Sequence, residues 1–151
     1  WRRATFNLDE VAFQGLRENQ AEWRVVVKAF NPNGKDLRLD GLHLWALLDN
    51  GPGNAADTLA RLRDPGRITL SARDTTRLTF DVSVPHEAWN KALRQMRRTG
   101  KSELLFTGDA VVPHLFGSRT VRNAVREKHT LDLMSVLGGG TGDFLRGLFG
   151  R

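Results

Sequence analysis

The sequence predicts a mostly β fold: a two-layer antiparallel β-sandwich that carries one short α-helix. Three observations predict it. Short stretches alternate apolar and polar residues with the two-residue period of a strand. Clusters of Gly, Pro and Asn separate these stretches at turn-like places. Three- and four-residue spacing of apolar side chains replaces this pattern at one internal segment, after Pro85.

Each element has its own justification. Phe6 and Leu8 alternate, and so do Val11 and Phe13, but Asp9-Glu10 puts the pairs out of phase. A first strand with a bulge is expected there, with Gly15 and Asn19 allowing a turn. Residues 22–30 form the strongest strand. Trp23, Val25, Val27 and Ala29 take one face, and three successive valines favour an extended backbone. Asn31-Pro32-Asn33-Gly34 closes it in a sharp turn. Leu37, Leu39, Leu42, Leu44, Ala46 and Leu48 form the next strand, broken or bulged at Gly41. Asn50-Gly51-Pro52-Gly53-Asn54 marks a hairpin, returning through Thr58, Ala60 and Leu62.

Ile68 and Leu70 suit a short edge strand. Thr76, Leu78, Phe80, Val82 and Val84 alternate cleanly with polar residues until Pro85, as in a strand buried on one face. Ala88, Trp89, Ala92, Leu93 and Met96 then share one side of a short helix. Glu87 lies in its first turn, Arg97-Arg98 in its last, and Gly100 stops it. Leu104, Phe106 and Gly108 begin a strand that continues to Val112. Residues 113–117 read as a wide turn. Residues 119–133 carry charges that suit a helix, but Thr120, Val121, Val125 and Thr130 favour a last strand or hairpin.

Composition narrows the function classes. The 151 residues are 40% hydrophobic and 26% charged, the balance of a single globular domain rather than a disordered chain. No cysteine occurs, which excludes thiol catalysis, disulfides and thiolate metal sites. The longest apolar stretches are far shorter than the roughly 20 residues of a membrane helix. The chain begins with Trp1 rather than Met, so an upstream segment is expected to have been removed or left out. The domain is expected to span residues 1–137. Residues 138–151 form a glycine-linked amphipathic tail.

These elements, in order, resemble the late embryogenesis abundant type 2 family, whose core is the water-stress and hypersensitive-response domain. The strand from Val25 to Phe30 followed by Asn31-Pro32 is similar to the family's hydrophobic strand and Asn-Pro signature. The run Ile68 to Thr76, followed by Leu78-Thr79-Phe80-Asp81-Val82, is similar to its edge strand, turn and long strand. The helix after Pro85 and the paired late strands complete the match over roughly residues 4–134. The resemblance implies an immunoglobulin- or fibronectin type III-like sandwich linked to desiccation, cold and defence responses. It implies no catalytic residues, and a bacterial periplasmic or outer-membrane lipoprotein location, with the cytoplasm as the alternative. Asn31 and Pro32 are read as turn-forming residues. The basic balance and the hydrophobic tail depart from the family pattern.

The residues themselves point to no catalytic, cofactor or metal site. His43, His86, His114 and His129 make no ligand-spaced pair. Asp109, His114 and Ser118 could be assembled into a triad on paper, but turns collect such residues by default. Gly138-Gly139-Gly140-Thr141-Gly142 lacks the lysine of a phosphate loop. The net charge of +6, from 23 Lys and Arg against 17 Asp and Glu, points instead to surfaces. One basic group is Lys91, Arg94, Arg97, Arg98 and Lys101. Another is Arg119, Arg122, Arg126 and Lys128. Acidic proteins or anionic membranes are the expected partners. Nucleic acid is disfavoured because aromatic residues are not interleaved with the basic ones. In the tail, Phe144, Leu145, Leu148 and Phe149 would cover a sandwich edge, dock on a partner, or meet a membrane with Arg146 and Arg151. Two functions compete: a noncatalytic stress-protection domain that stabilises proteins or membranes, and an envelope-associated protein-binding module that uses the basic groups and the tail.

Overall fold

The computed structural model describes residues 3–132. The tail residues Phe144, Leu145, Leu148 and Phe149 lie outside the described residues. Among the described residues, nine strands and one helix follow in order: β1 (Thr5–Arg17), β2 (Gln20–Phe30), β3 (Leu37–Leu39), β4 (Gly41–Leu48), β5 (Asp57–Leu62), β6 (Ile68–Leu70), β7 (Thr75–Pro85), α1 (His86–Thr99), β8 (Lys101–His114) and β9 (Gly117–Asp132). One layer is the sheet β1-β2-β7, the other is β5-β4-β8-β9, and β3-β6 is a separate two-stranded ribbon. All pairings are antiparallel. At the lateral edges β5 runs beside β7 and β1 beside β9. The Leu8 amide donates 2.8 Å to the Glu127 carboxylate across the second seam.

The alternation within strands decides which face is buried. In β2, Trp23, Val25, Val27 and Ala29 enter the core, as their spacing predicts. The opposite face of this sheet carries charge. Arg24 faces Asp81 at 4.0 Å, while Lys28 and Arg77 converge on Asp9 at 3.2 and 2.9 Å. Opposite charges on neighbouring strands suit a solvated face. In β7, Leu78, Phe80, Val82 and Val84 are buried and the residues between them are exposed or half-buried.

Four local readings are corrected. First, β1 does not turn at Gly15. It runs to Arg17 and turns at Glu18-Asn19, both with left-handed φ, at 50° and 64°. Gly15, with φ 126°, absorbs a second bulge, while the first falls at Asp9 as the phase break predicts. Second, the apolar run from Leu37 to Leu48 breaks at Asp40 and serves two sheets, since β3 pairs β6 whereas β4 pairs β5 and β8. Third, a register shift at Ala46/Leu47 buries Leu59, Ala60 and Leu62 of β5 and leaves Thr58 exposed. Fourth, the wide turn is a two-residue turn at Leu115-Phe116, since His114 pairs with Gly117. Pro113 stands in the ladder opposite Ser118. It lies past Val111, the last β8 residue paired with β4, so its missing N–H removes no bond to that strand.

Helix α1 covers one open side of the sandwich between β7 and β8. Its first residue follows Pro85, its last turn ends on Gly100 in the left-handed region (φ 87°), and the Gly100 amide donates 2.7 Å to the Met96 carbonyl. Trp89, Ala92, Leu93 and Met96 are buried. Trp89 stacks on Phe13 at 5.8 Å and meets Trp23 edge-on at 5.5 Å, so the helix is keyed to β1 and β2 by three rings. Polar clamps fix its other flank. The Gln95 amide donates to the Asp49 carbonyl at 2.9 Å and accepts from the Glu103 amide at 3.1 Å. Ser102 Oγ donates 2.7 Å to the Ala92 carbonyl.

Candidate functional surface

Among the described residues the fully buried polar side chains are Asn31 and Ser102, and both hydrogen-bond within the protein. Polar chemistry therefore faces outward. The interior holds a small apolar cavity of about 30 Å³ between Trp23, Trp89, Phe106 and Leu131.

Asn31 does more than turn the chain. Its side-chain amide donates to the Lys35 carbonyl at 2.9 Å and the Leu70 carbonyl at 3.0 Å. Its Oδ1 accepts from the Asn33 amide and the Asn33 side chain, both at 3.0 Å. Its backbone N–H donates to the Asp74 carbonyl at 3.1 Å. One buried residue thus ties the end of β2 to its own loop and to β6 through its side chain, and to the turn before β7 through its backbone. Pro32 bridges the short Asx turn between Asn31 and Asn33. The Asn-Pro pair holds the fold; it is the turn of the sequence reading and a tether besides.

The first basic group is brought together. Lys91, Arg94 and Arg98 follow one another at three and four residues along the exposed side of α1, Arg97 is exposed beside them, and Lys101 opens β8 just past the helix. Lys91 pairs with Asp57 at 3.3 Å and Lys101 with Glu103 at 3.4 Å. A hydrogen bond from Asn50, and then one from Lys91, hold the Asp57 carboxyl below the usual carboxylate range. Arg98 and Lys101 also line a surface groove of about 380 Å³ with Asn50, Gln95 and Glu103. Asp49 and Glu103 give that groove mixed charge.

The second group is divided. Arg119 stands opposite Val112, on the face that turns toward the core, whereas Arg126 stands opposite Thr107 on the outer face. Lys128 shares that outer face opposite Leu105. Alternation along β9 separates them, and the wide register shift between them keeps its phase, with Val121 opposite Ala110 and Val125 opposite Gly108. Arg122 and Asn123 sit in this bulge. Asn123 takes a left-handed φ of 53°, and its amide donates 2.9 Å to Asp109. The outer face around Arg126 includes half-buried Trp45, against which the Arg61 guanidinium lies at 5.8 Å.

The paper triad is not assembled. Asp109 holds the bulge, and Ser118 Oγ donates to Asp40 at 3.3 Å. Asp64 instead lies 3.6 Å from His43 and accepts from the Leu42 and Gly66 amides, which makes it a loop organiser. Among the described residues no group of three or more His, Asp or Glu is arranged to hold a metal.

Sequence reasoning missed one surface feature. Leu115 and Phe116, folded into the supposed wide turn, are 84% and 91% exposed at the tip of the β8–β9 hairpin. Two adjacent large apolar residues set between Pro113-His114 and Gly117-Ser118, where a turn was expected, were the signal that could have found them.

Comparison with known proteins adds the lineage. The fold is similar to that of an Arabidopsis thaliana protein in solution, with a TM-score of 0.59 at 16% identity over 85% of this chain and 80% of that one. It is also similar to a crystal structure of a protein from Archaeoglobus fulgidus, with a TM-score of 0.53 at 11% identity over 87% and 95% of the two chains. A search of curated proteins finds no match. Residues 26–126 match the family described as late embryogenesis abundant protein. They take in the Asn31-Pro32 tether, the helix and most of the last hairpin, and the chain belongs to that family.

Proposed function

We propose that this domain protects other macromolecules during water loss by noncatalytic surface contact, stabilising proteins or membranes. The observation that carries the reading is the division of polarity. The interior is apolar, with the buried Asn31 and Ser102 side chains hydrogen-bonded within it, while charged groups stand on outer faces. Such a surface retains water and opposes association of neighbouring molecules. The family assignment supports a stress-related role of this general kind.

The test is to dry and rehydrate a drying-sensitive enzyme with the domain or with an equal mass of serum albumin. Greater recovered activity with the domain supports the reading, and recovery no better than with albumin overturns it. A second reading, an envelope-associated module that binds an acidic protein, is favoured by the helix stripe. There Arg94 and Arg98 are exposed, whereas Lys91 is already paired with Asp57. It predicts capture of one stoichiometric acidic protein that is lost on Arg94→Ser/Arg98→Ser.

A further inference from the structure

We propose that the tip of the β8–β9 hairpin is a membrane contact point, at which Leu115 and Phe116 enter the interfacial layer of an anionic phospholipid bilayer. The inference deepens the membrane part of the protective reading and rests on it.

Four observations carry it. Exposed turns ordinarily carry polar residues or glycine, and neither central position of this one lies in the left-handed region, so polar side chains would fit it as well. This turn instead holds Leu115 and Phe116, 84% and 91% exposed, followed by Gly117 at φ 138°. Nothing in the turn geometry requires apolar side chains there. Second, the tip projects. β4 accompanies β8 only to Val111, so residues 112–119 continue beyond the neighbouring strand.

Third, the charge behind the tip has one dominant sign. From Ala110 to Arg126 the chain holds Arg119, Arg122 and Arg126 and no acidic residue. Ser118 bonds to Asp40, whose carboxylate is itself flanked by Arg38 at 3.2 Å and Arg67 at 3.7 Å. The nearby acids are therefore engaged: Asp40 by two arginines, and Asp109 by the Asn123 amide. Fourth, the tip is convex and narrow. A specific protein interface buries about 800 Å² on each partner, more than two side chains on a tight turn present. A fluid bilayer interface reshapes around such a tip. Apolar side chains sink to the headgroup boundary while cationic ones stay at headgroup level. Arginines near an anionic surface add to the attraction, and salt screens it.

The test is cosedimentation of the full chain with vesicles of phosphatidylcholine alone or mixed with phosphatidylglycerol. Binding to the mixed vesicles, weak binding to the neutral ones and release by salt are expected. Leu115→Ser/Phe116→Ser should weaken binding about tenfold or more, and Arg119→Gln/Arg122→Gln should weaken it and reduce its salt dependence. The tip touches no core residue that these changes remove, so the urea midpoint should stay where it is. A control carrying Phe144→Ser/Leu148→Ser separates the tail from the tip. Equal binding by the tip variant and the parent overturns the proposal. So does binding lost only in the tail variant, or equal binding to neutral and anionic vesicles. The drying assay contains no lipid. Failure of vesicle binding with enzyme protection intact would therefore remove the tip contact alone, and failure of protection would remove the wider reading.

Discussion

Asn31 shows how much one side chain can carry in a small sandwich. It is fully buried, and all its side-chain capacity on display is used: two carbonyls accept from its amide and two Asn33 groups donate to its oxygen. Asn31→Ala would leave the buried Leu70 carbonyl without that partner, at about 1–3 kcal/mol, while the carbonyl of the exposed Lys35 can turn to water. The expected outcome is a urea midpoint lowered to match that cost, with Asn31→Asp intermediate or worse because a carboxylate cannot donate. His129 acts in the other direction on pH. Burial pushes its imidazole below the ordinary value of 6.5, only partly opposed by Asp132 and Glu103. The unfolded chain, titrating near 6.5, takes up this proton first as pH falls. Stability from this group is therefore full above 6.5 and is lost as pH drops below it toward the lower folded value. His129→Gln should flatten the change in urea midpoint across that interval. If parent and variant kept the same slope, burial of this ring would not be the cause.

At the scale of elements, β4 and β8 come into close contact at Gly108. A Cβ on Gly108 would lie 2.6 Å from the His43 carbonyl oxygen and within the Leu44 side chain. The backbone oxygen cannot rotate away. Gly108→Ala should therefore force the strands apart and cost about 1–3 kcal/mol, read as a lowered thermal midpoint, whereas Ala110→Gly two residues on should cost less. The sequence did reveal that Gly108 alternates with Leu104 and Phe106, but not why a glycine was needed, because the reason lies on β4, more than sixty residues earlier. The same limit explains which element readings held. β2, β7 and α1 are long enough for their periods to be self-evident, and their buried faces came out as spaced. β5 did not, because its extra residue, Leu59, falls between Ala60, paired with Ala46, and Thr58, paired with Leu47, and nothing in its spacing marks that bulge. A bulge at Asp9 was legible because charges interrupted an apolar rhythm. The one at Arg122-Asn123 was not, because it adds two residues and so leaves Val121 and Val125 on the same face, as an unbroken strand would.

The whole molecule is one cooperative object. Core residues from all the larger strands and the helix form a single cluster, and Trp23 and Trp89 sit within it while joining β2 to α1. Tryptophan fluorescence and far-ultraviolet circular dichroism should report the same urea transition. Separated midpoints would mean that the helix side opens apart from the sheets. The fold class, most strands along the chain and the helix were readable from periodicity and turn residues, and the lineage from motifs in order, whereas the order of strands within each sheet was not. The tip was not, because exposure of an apolar pair depends on how far a hairpin outruns its neighbour. The double bulge at Arg122-Asn123 has a further consequence for a protein that meets drying. As water leaves, neighbouring copies are forced into contact, and β9, a sixteen-residue strand at the sheet margin, is a template on which another chain could zip and begin a fibril. The left-handed Asn123 breaks its row of amides and carbonyls into two shorter runs, and the Glu127 carboxylate is drawn to β1 rather than left on the rim. Deleting Arg122-Asn123 to restore an even ladder should raise thioflavin-positive aggregation after repeated drying; if the deleted form stayed as clear as the parent, the interrupted margin would not be what keeps crowded copies apart.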